Sequence, residues 1–227
     1  MKKKSFKALL FDADGTMYDS TMLHQKAYEK VCKELYDFDF SKQLYFDECV
    51  VEYKRPDQVL REQGIACNEN ELYRKKHEYY DTIARKELDA TPGLVMLLQQ
   101  AKAHEVPCVI VSGASHHTLE NSLSILGLRD FFQFCIGYED TVEFQKPHPY
   151  PYKKALKQLG ITAEYGVAFE DTETGITSAK GAGLFCVAIK NNTNTREQLN
   201  KADLIISSYD ELERTFDNQM MILGTQT

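Results

Sequence analysis

Six short apolar runs recur along the chain, at residues 8–11, 107–111, 134–136, 166–169, 185–189 and 204–206. Each is followed by a small or acidic residue and then by a helix-period pattern, which predicts strands alternating with helices and a mostly parallel sheet covered by helices. Runs that are apolar throughout fit strands buried on both faces. The alternation is broken once. Between Phe11 and Val106 no comparable run occurs, and Leu23, Ala27, Val31 and Leu35 recur at helical spacing instead. This predicts an α/β fold in which residues 1–18 and 89–227 form the sheet domain. Residues 19–88 form a helical domain inserted after the first strand, over that strand's carboxyl end. Asp89-Ala90-Thr91-Pro92-Gly93 closes the insertion with turn chemistry. The sheet pattern starts at residue 6, and the tail after Phe216 carries little signal.

A formal net charge of −7 over 227 residues and a pI near 5.4 argue against a nucleic-acid binder, which would show a basic face. An anionic ligand must then be held by local cations. Met1-Lys2-Lys3-Lys4 precedes an apolar stretch that ends at Phe11, too short for a signal core or a membrane span. The six cysteines are scattered without a Cys-x-x-Cys pair, which points to neither a zinc site nor a disulfide framework and fits a reducing cytoplasm.

Ligands of open parallel sheets collect outside the carboxyl ends of the strands, so the residues just after each run carry the most information. Asp12-Ala13-Asp14-Gly15 follows the first run, Ser112-Gly113-Ala114-Ser115 the second, and Glu170-Asp171-Thr172 the fourth; Lys146-Pro147-His148-Pro149 precedes a helix at 152–159. In a strand, Asp12 and Asp14 would point to the same side, and like charges held that close need a cation, a shared proton or separate roles. Each piece alone also reads as ordinary structure: a turn at Asp14-Gly15 or Ser112-Gly113, a proline-set helix start at Lys146-Pro147, N-capping at Glu170-Asp171-Thr172. Jointly they supply four carboxylates, a hydroxyl and a lysine at one rim. Asp12 and Asp171 suit Mg²⁺, which takes one or two protein carboxylates, and Glu170 suits a metal-bound water. Ser112, with Gly113 and free amides at the next helix start, suits a phosphate oxygen, and Lys146 offsets charge developed in transfer. The chemistry these parts match is phosphoryl transfer.

These motifs resemble those of the haloacid dehalogenase superfamily of phosphohydrolases, with Asp12-Ala13-Asp14-Gly15-Thr16, Ser112, Lys146-Pro147-His148-Pro149 and Phe169-Glu170-Asp171-Thr172 in order along nearly the whole chain. The stretch from Thr177 to Gly183 is similar to the beta-phosphoglucomutase-like subfamily. The resemblance implies a Rossmann-like core, Mg²⁺ as cofactor, Asp12 as the nucleophile that becomes an aspartyl phosphate, and Asp14 as general acid and base. It implies a metal site of Asp12, the Asp14 backbone carbonyl and Asp171 with Glu170 close by, and phosphoryl binding by Ser112 and Lys146. Asp14 points to phosphate esters, since family dehalogenases generally lack it.

By the same resemblance the insertion is a cap that closes over the site and carries specificity, with His24, Lys54, Arg55 and Lys76 as its candidate substrate groups. A helix-face histidine, a surface arginine and a solvated Arg74-Lys75-Lys76-His77 face are the competing readings. His116 and His117 either edge the pocket or lie on a helix surface. The expected substrate is a small sugar or polyol phosphate, with a phosphomutase as the alternative and a catalytically silent binding module as the remoter one. The chain is expected to be a cytoplasmic monomer or homodimer with no nucleic-acid or membrane partner.

Overall fold

The computed structural model describes residues 2–52, 54–217 and 219–225. The chain forms two compact units, one of Met1–Asp19 with Asp89–Thr227 and the other of Ser20–Leu88. In the first unit β1 spans Lys2–Phe6, β2 Ala8–Phe11, β3 Cys108–Val111, β4 Phe132–Ile136, β5 Gly166–Glu170, β6 Phe185–Ile189, β7 Leu204–Ile206, β8 Arg214–Asp217 and β9 Met220–Thr225. Six of these make a parallel sheet in the order β4-β3-β2-β5-β6-β7. The chain works outward from β2 in one direction and resumes at β5 on the other side. A crevice therefore opens at the carboxyl ends of β2 and β5.

The apolar runs become strands because both of their faces are covered. Ala8 to Phe11 and Val167 to Phe169 are fully buried. Leu10, Val109, Val111, Ala168 and Cys186 pack on one face with Tyr152, Ala155, Leu156, Ile176 and Ala179. On the alternate face Phe11 stacks on Phe169 at 4.7 Å, and Tyr209 tilts against both rings at 6.1 and 5.3 Å. Such aromatic contacts add roughly 0.5–1.5 kcal/mol each beyond burial. The pairing that sets Phe11 beside Phe169 also carries the Asp12 N–H to the Phe169 carbonyl, at 2.9 Å. Two irregular loops thus start side by side.

The small antiparallel sheet β1-β9-β8 has no counterpart in the apolar pattern. Its Phe6, Met221 and Leu223 are buried, but Lys2, Lys3 and Lys4 give β1 the look of a polar leader. Lys4 lays its ammonium 4.4 Å over the Phe185 ring, so the stem covers apolar surface while the charge stays at the rim.

The second unit is helical, with α1 at Thr21–Tyr36, α2 at Lys42–Leu44 running into a wide turn at Tyr45–Val51, α3 at Pro56–Glu62 and α4 at Glu69–Glu87. Leu23, Ala27 and Val31 lie on the buried side of α1, and Val31, Cys32, Phe40, Tyr45, Val59, Leu60 and Leu72 form a core of their own. Pro56 at the first position of α3 follows an extended Arg55, since proline restricts the residue before it and is preset for the first turn. His24 stacks on Tyr80 at 4.4 Å, and its buried Nδ1 has no hydrogen-bond partner. Burial holds its pKa well below the ordinary 6.5, with Lys76 and His77 adding to the effect. A histidine that folds neutral binds fewer protons in the native state than in the unfolded one, so its stability contribution is lost as pH falls below about 6.5. His24→Phe keeps the stack and removes the titration. Thermal melts from pH 7.5 to pH 5 should fall less steeply for this variant than for the parent, and parallel slopes would refute the assignment.

The first unit's helices are α5 at Leu94–Ala103, α6 at His116–Leu126, α7 at Tyr150–Leu159 and α8 at Glu173–Gly181.

Candidate active site

Three carboxylates converge at the β2–β5 crevice: Asp12, Glu170 and Asp171 each place an oxygen within 4.8 Å of the others, and all three are buried. One ammonium enters the group. Lys146 Nζ donates to Asp12 Oδ1 at 2.6 Å and to the Val111 carbonyl at 2.8 Å, and pairs with Glu170 Oε1 at 2.6 Å. The Tyr152 hydroxyl donates to the same Glu170 oxygen at 2.6 Å, whereas Glu170 Oε2 is buried without a hydrogen-bond partner. Burial alone would lower the Lys146 pKa, but Asp12 and Glu170 override it and hold the ammonium above its usual range. The carboxylates are not all satisfied by one cation. Burial pushes Glu170 up to about 7 against the opposing pull of Lys146, with Asp12 adding to the rise. Asp171 is held well above its ordinary value by burial, then by Asp12 and Glu170.

Two glycines make room for this crowding. Gly15 has φ +78°, and a Cβ there would lie 2.0 Å from Asp171 Oδ2; a Cβ on Gly175 would lie 1.9 Å from Glu170 Oε2. Gly175→Ala must displace a fully buried carboxylate that is hydrogen-bonded on its other side. A loss of about 1–3 kcal/mol by denaturant titration is expected, and an unchanged midpoint would contradict this close approach.

Ser112 is buried directly after β3. Its hydroxyl accepts from the Ala114 N–H at 3.1 Å. Two of the amides at the start of α6 are paired with side chains: the His116 N–H donates to Glu139 Oε2 at 3.0 Å and the Thr118 N–H to Ser115 Oγ at 3.2 Å. The acceptors for these two come from α6's own cap and from the loop after β4. A Cβ on Gly113 would meet nothing within 4 Å, so open space adjoins the serine turn.

A family model described as haloacid dehalogenase-like hydrolase matches residues 9–189. The chain belongs to that family. Protein CbbY of Cereibacter sphaeroides is 28% identical over 215 residues, covering 90% of this chain and 93% of that protein. A phosphorylated carbohydrates phosphatase of Thermotoga maritima is 26% identical over 178 residues, covering 78% and 82%. The crystal structure of CbbY from Rhodobacter sphaeroides in complex with phosphate superposes with a TM-score of 0.78 at 25% identity, covering 91% of this chain and 96% of that one. This haloacid dehalogenase-like hydrolase is an enzyme of the phosphatase kind. Among the described residues no helix is long and apolar enough to cross a membrane.

In this hydrolase Asp12, Lys146, Glu170 and Asp171 are together, and Lys146 reaches the end of β3, next to Ser112, through the Val111 carbonyl. Asp14 is half-buried and its carboxylate is outside the three-carboxylate group. The strand on which the same-side expectation for Asp12 and Asp14 depends ends at Phe11, before either residue. Glu170 is 0% exposed and pairs with Lys146 through Oε1. His116 stands on the helix surface, half-exposed, with Nε2 2.6 Å from Asp140 Oδ2.

In the helical unit Lys76 is 5% exposed, which rules out the solvated-face reading; its ammonium lies 5.4 and 4.8 Å over the Tyr28 and Tyr80 rings. Arg74 by contrast is exposed and pairs with Glu78 at 2.6 Å. Arg55 is exposed but occupied, with Asp57 and Glu69 each 3.0 Å away. Sequence reasoning missed Tyr152, Asn191 and Asn194. The rule of inspecting residues after each strand, applied to the run ending at Ile189, would have reached Asn191-Asn192-Thr193-Asn194.

Proposed function

We propose that the enzyme is a Mg²⁺-dependent phosphatase that removes phosphate from a small sugar or polyol phosphate through an aspartyl phosphate on Asp12. The observation that carries this reading is the buried cluster of Asp12, Glu170 and Asp171 around the single ammonium of Lys146. With all three ionised, the carboxylates would leave two negative charges beside the Lys146 ammonium in a low-dielectric crevice, and a divalent cation would favour that state by balancing them. The donors are hard oxygens, the type Mg²⁺ takes, and the unpartnered Glu170 Oε2 adds to the fit. Asp12, Asp171 and the Asp14 carbonyl would hold the ion, with Glu170 beside them. When bound, it supplies charge neutralisation for the phosphoryl oxygens.

The protein's own groups divide the remaining work. The Asp12 carboxylate, oriented by Lys146 through Oδ1, attacks phosphorus. The Asp14 carboxyl protonates the departing ester oxygen and then draws the proton from the water that cleaves the aspartyl phosphate. Ser112 and Lys146 hold the phosphoryl oxygens, the lysine as a fixed charge whose position costs no reorganisation. His24, Arg55 and Lys76 belong to the specificity unit in this reading, with Arg55 required to exchange a carboxylate before it binds substrate. The relative named as a phosphorylated carbohydrates phosphatase supports the sugar-phosphate class.

A screen across sugar, polyol, nucleotide and glycolytic phosphates, run with Mg²⁺ and with EDTA, tests this. Mg²⁺-dependent phosphate release from one sugar or polyol phosphate is expected. Absence of release across the panel, or release indifferent to EDTA, would overturn it, and conversion of β-glucose 1-phosphate to glucose 6-phosphate would reassign the enzyme as a mutase.

A further inference from the structure

We infer that Asn191 is a positioning residue that presents Asp171 to the cation and staples the loop after β5 to the turn after Asp12. The inference rests on the metal reading above but concerns a residue outside its ligand set. The Asn191 Nδ2 amide donates twice, to Asp171 Oδ2 at 2.9 Å and to the Gly15 carbonyl at 3.1 Å. Those acceptors belong to the two loops that bring Asp171 and Asp12 together.

The orientation of the amide is determined by its other end. Asn191 Oδ1 accepts from the Thr193 N–H at 2.9 Å, the Thr193 hydroxyl at 2.8 Å and the Asn194 N–H at 3.2 Å. Backbone N–H groups can only donate, so Oδ1 must face them and Nδ2 must face the carboxylate. Asn194 completes the lock, since its Nδ2 donates to the Asp171 backbone carbonyl at 2.9 Å and to the Ile189 carbonyl at 3.0 Å, while its Oδ1 accepts the Asn191 N–H at 3.1 Å. Asp171 is therefore gripped by side chain and by backbone from the segment that follows β6. Its other oxygen, Oδ1, meets only a longer contact, from the Thr16 hydroxyl at 3.3 Å. The Asn191 amide thus makes the closer contact to the Asp171 carboxylate, on Oδ2.

The chemistry of an amide suits this place. A donor that cannot accept a proton from Asp171 favours the ionised carboxylate, and a neutral group adds no charge to a site that already holds three acids. Such outer partners of metal ligands commonly govern affinity by 10–100-fold.

The test is Mg²⁺ binding by titration calorimetry, without substrate, on the parent, Asn191→Ala, Thr193→Val and the double variant, each checked for a cooperative melt. Asn191→Ala is expected to weaken Mg²⁺ binding about 10–100-fold and to shrink the Mg²⁺-induced rise in melting temperature. Turnover at saturating Mg²⁺ should fall less than the affinity. Thr193→Val keeps both donors and removes one restraint on Oδ1, so a loss of a few-fold is expected, and the double variant should be no worse than Asn191→Ala because Thr193 acts through Asn191. An unchanged Mg²⁺ affinity in a folded Asn191→Ala, or additive losses in the double variant, would overturn the inference. If Asn191→Ala does not fold, an unchanged affinity in Thr193→Val overturns it instead. Failure of the parent to bind Mg²⁺ would overturn both this inference and the metal reading beneath it, whereas parent-like binding by the variants would leave that reading standing.

Discussion

Asp12→Asn is expected to abolish phosphate release, by at least about 10³-fold, while leaving the melting temperature equal to or above that of the parent. The two halves follow from one geometry. The carboxylate is the nucleophile of the proposed reaction, and an amide is too poor a nucleophile to replace it. Structurally, Asp12 is one of three carboxylates crowded around Lys146. Removing it relieves like-charge repulsion, and Lys146 keeps Glu170 at 2.6 Å and the Val111 carbonyl at 2.8 Å. Functional sites often hold such arrangements at the expense of stability. Phosphate release above about 1% of parent activity, or a melting temperature clearly lowered, would contradict the role given to Asp12.

What the chain discloses before folding depends on how local each signal is. The parallel strands were legible because both faces are apolar, so that Ala8 to Phe11 or Phe185 to Ile189 reads as a run whatever lies beside it. The small sheet was not, because three of β1's five residues are lysine and its buried aromatic, Phe6, gains its meaning only from Met221 and Leu223 far along the chain. The motif acids were legible for a topological reason, since residues at and just past strand ends gather at one rim, whereas Lys146 stood out through the Lys146-Pro147-His148-Pro149 run before a helix. Their pairing was not legible, and neither was the reach of Lys146 across 134 positions to Asp12. Lys76 shows the opposite failure. A run of Arg74, Lys75 and Lys76 looks like one solvated face, but consecutive helical residues point in different directions, and the third of them folds over Tyr28 and Tyr80. Asn191 carried no local sign of its partner, since an Asn-rich loop reads as turn chemistry until Asp171 is seen against it.

Lys146→Met is the substitution expected to damage stability and activity together. Methionine fills much the same volume, so packing against Tyr152 is largely kept and the change isolates the charge. Lys146 is 12% exposed, and Glu170, its partner, is 0% exposed. Removing one member of a buried ion pair leaves the other's desolvation uncompensated, at a cost of about 3–5 kcal/mol. Here the loss faces Asp12, Glu170 and Asp171, all buried and mutually repelling. A drop in melting temperature of roughly 6–20 °C is expected for a chain of this size, with phosphate release reduced about 10²-fold or more through loss of the fixed phosphoryl-binding charge. Added Mg²⁺ should recover part of the stability, because a cation bound by the folded state alone raises it by mass action. It should not recover the rate, because the ion sits among the carboxylates and cannot replace an ammonium aimed at the phosphoryl group. The comparison with Asp12→Asn makes the two charges separable: losing a carboxylate costs activity alone, and losing the ammonium costs both. A Lys146→Met protein that melts like the parent without Mg²⁺ would show that the three carboxylates are not ionised together in the folded chain, and the charge argument for a divalent cation at this site would fall with it.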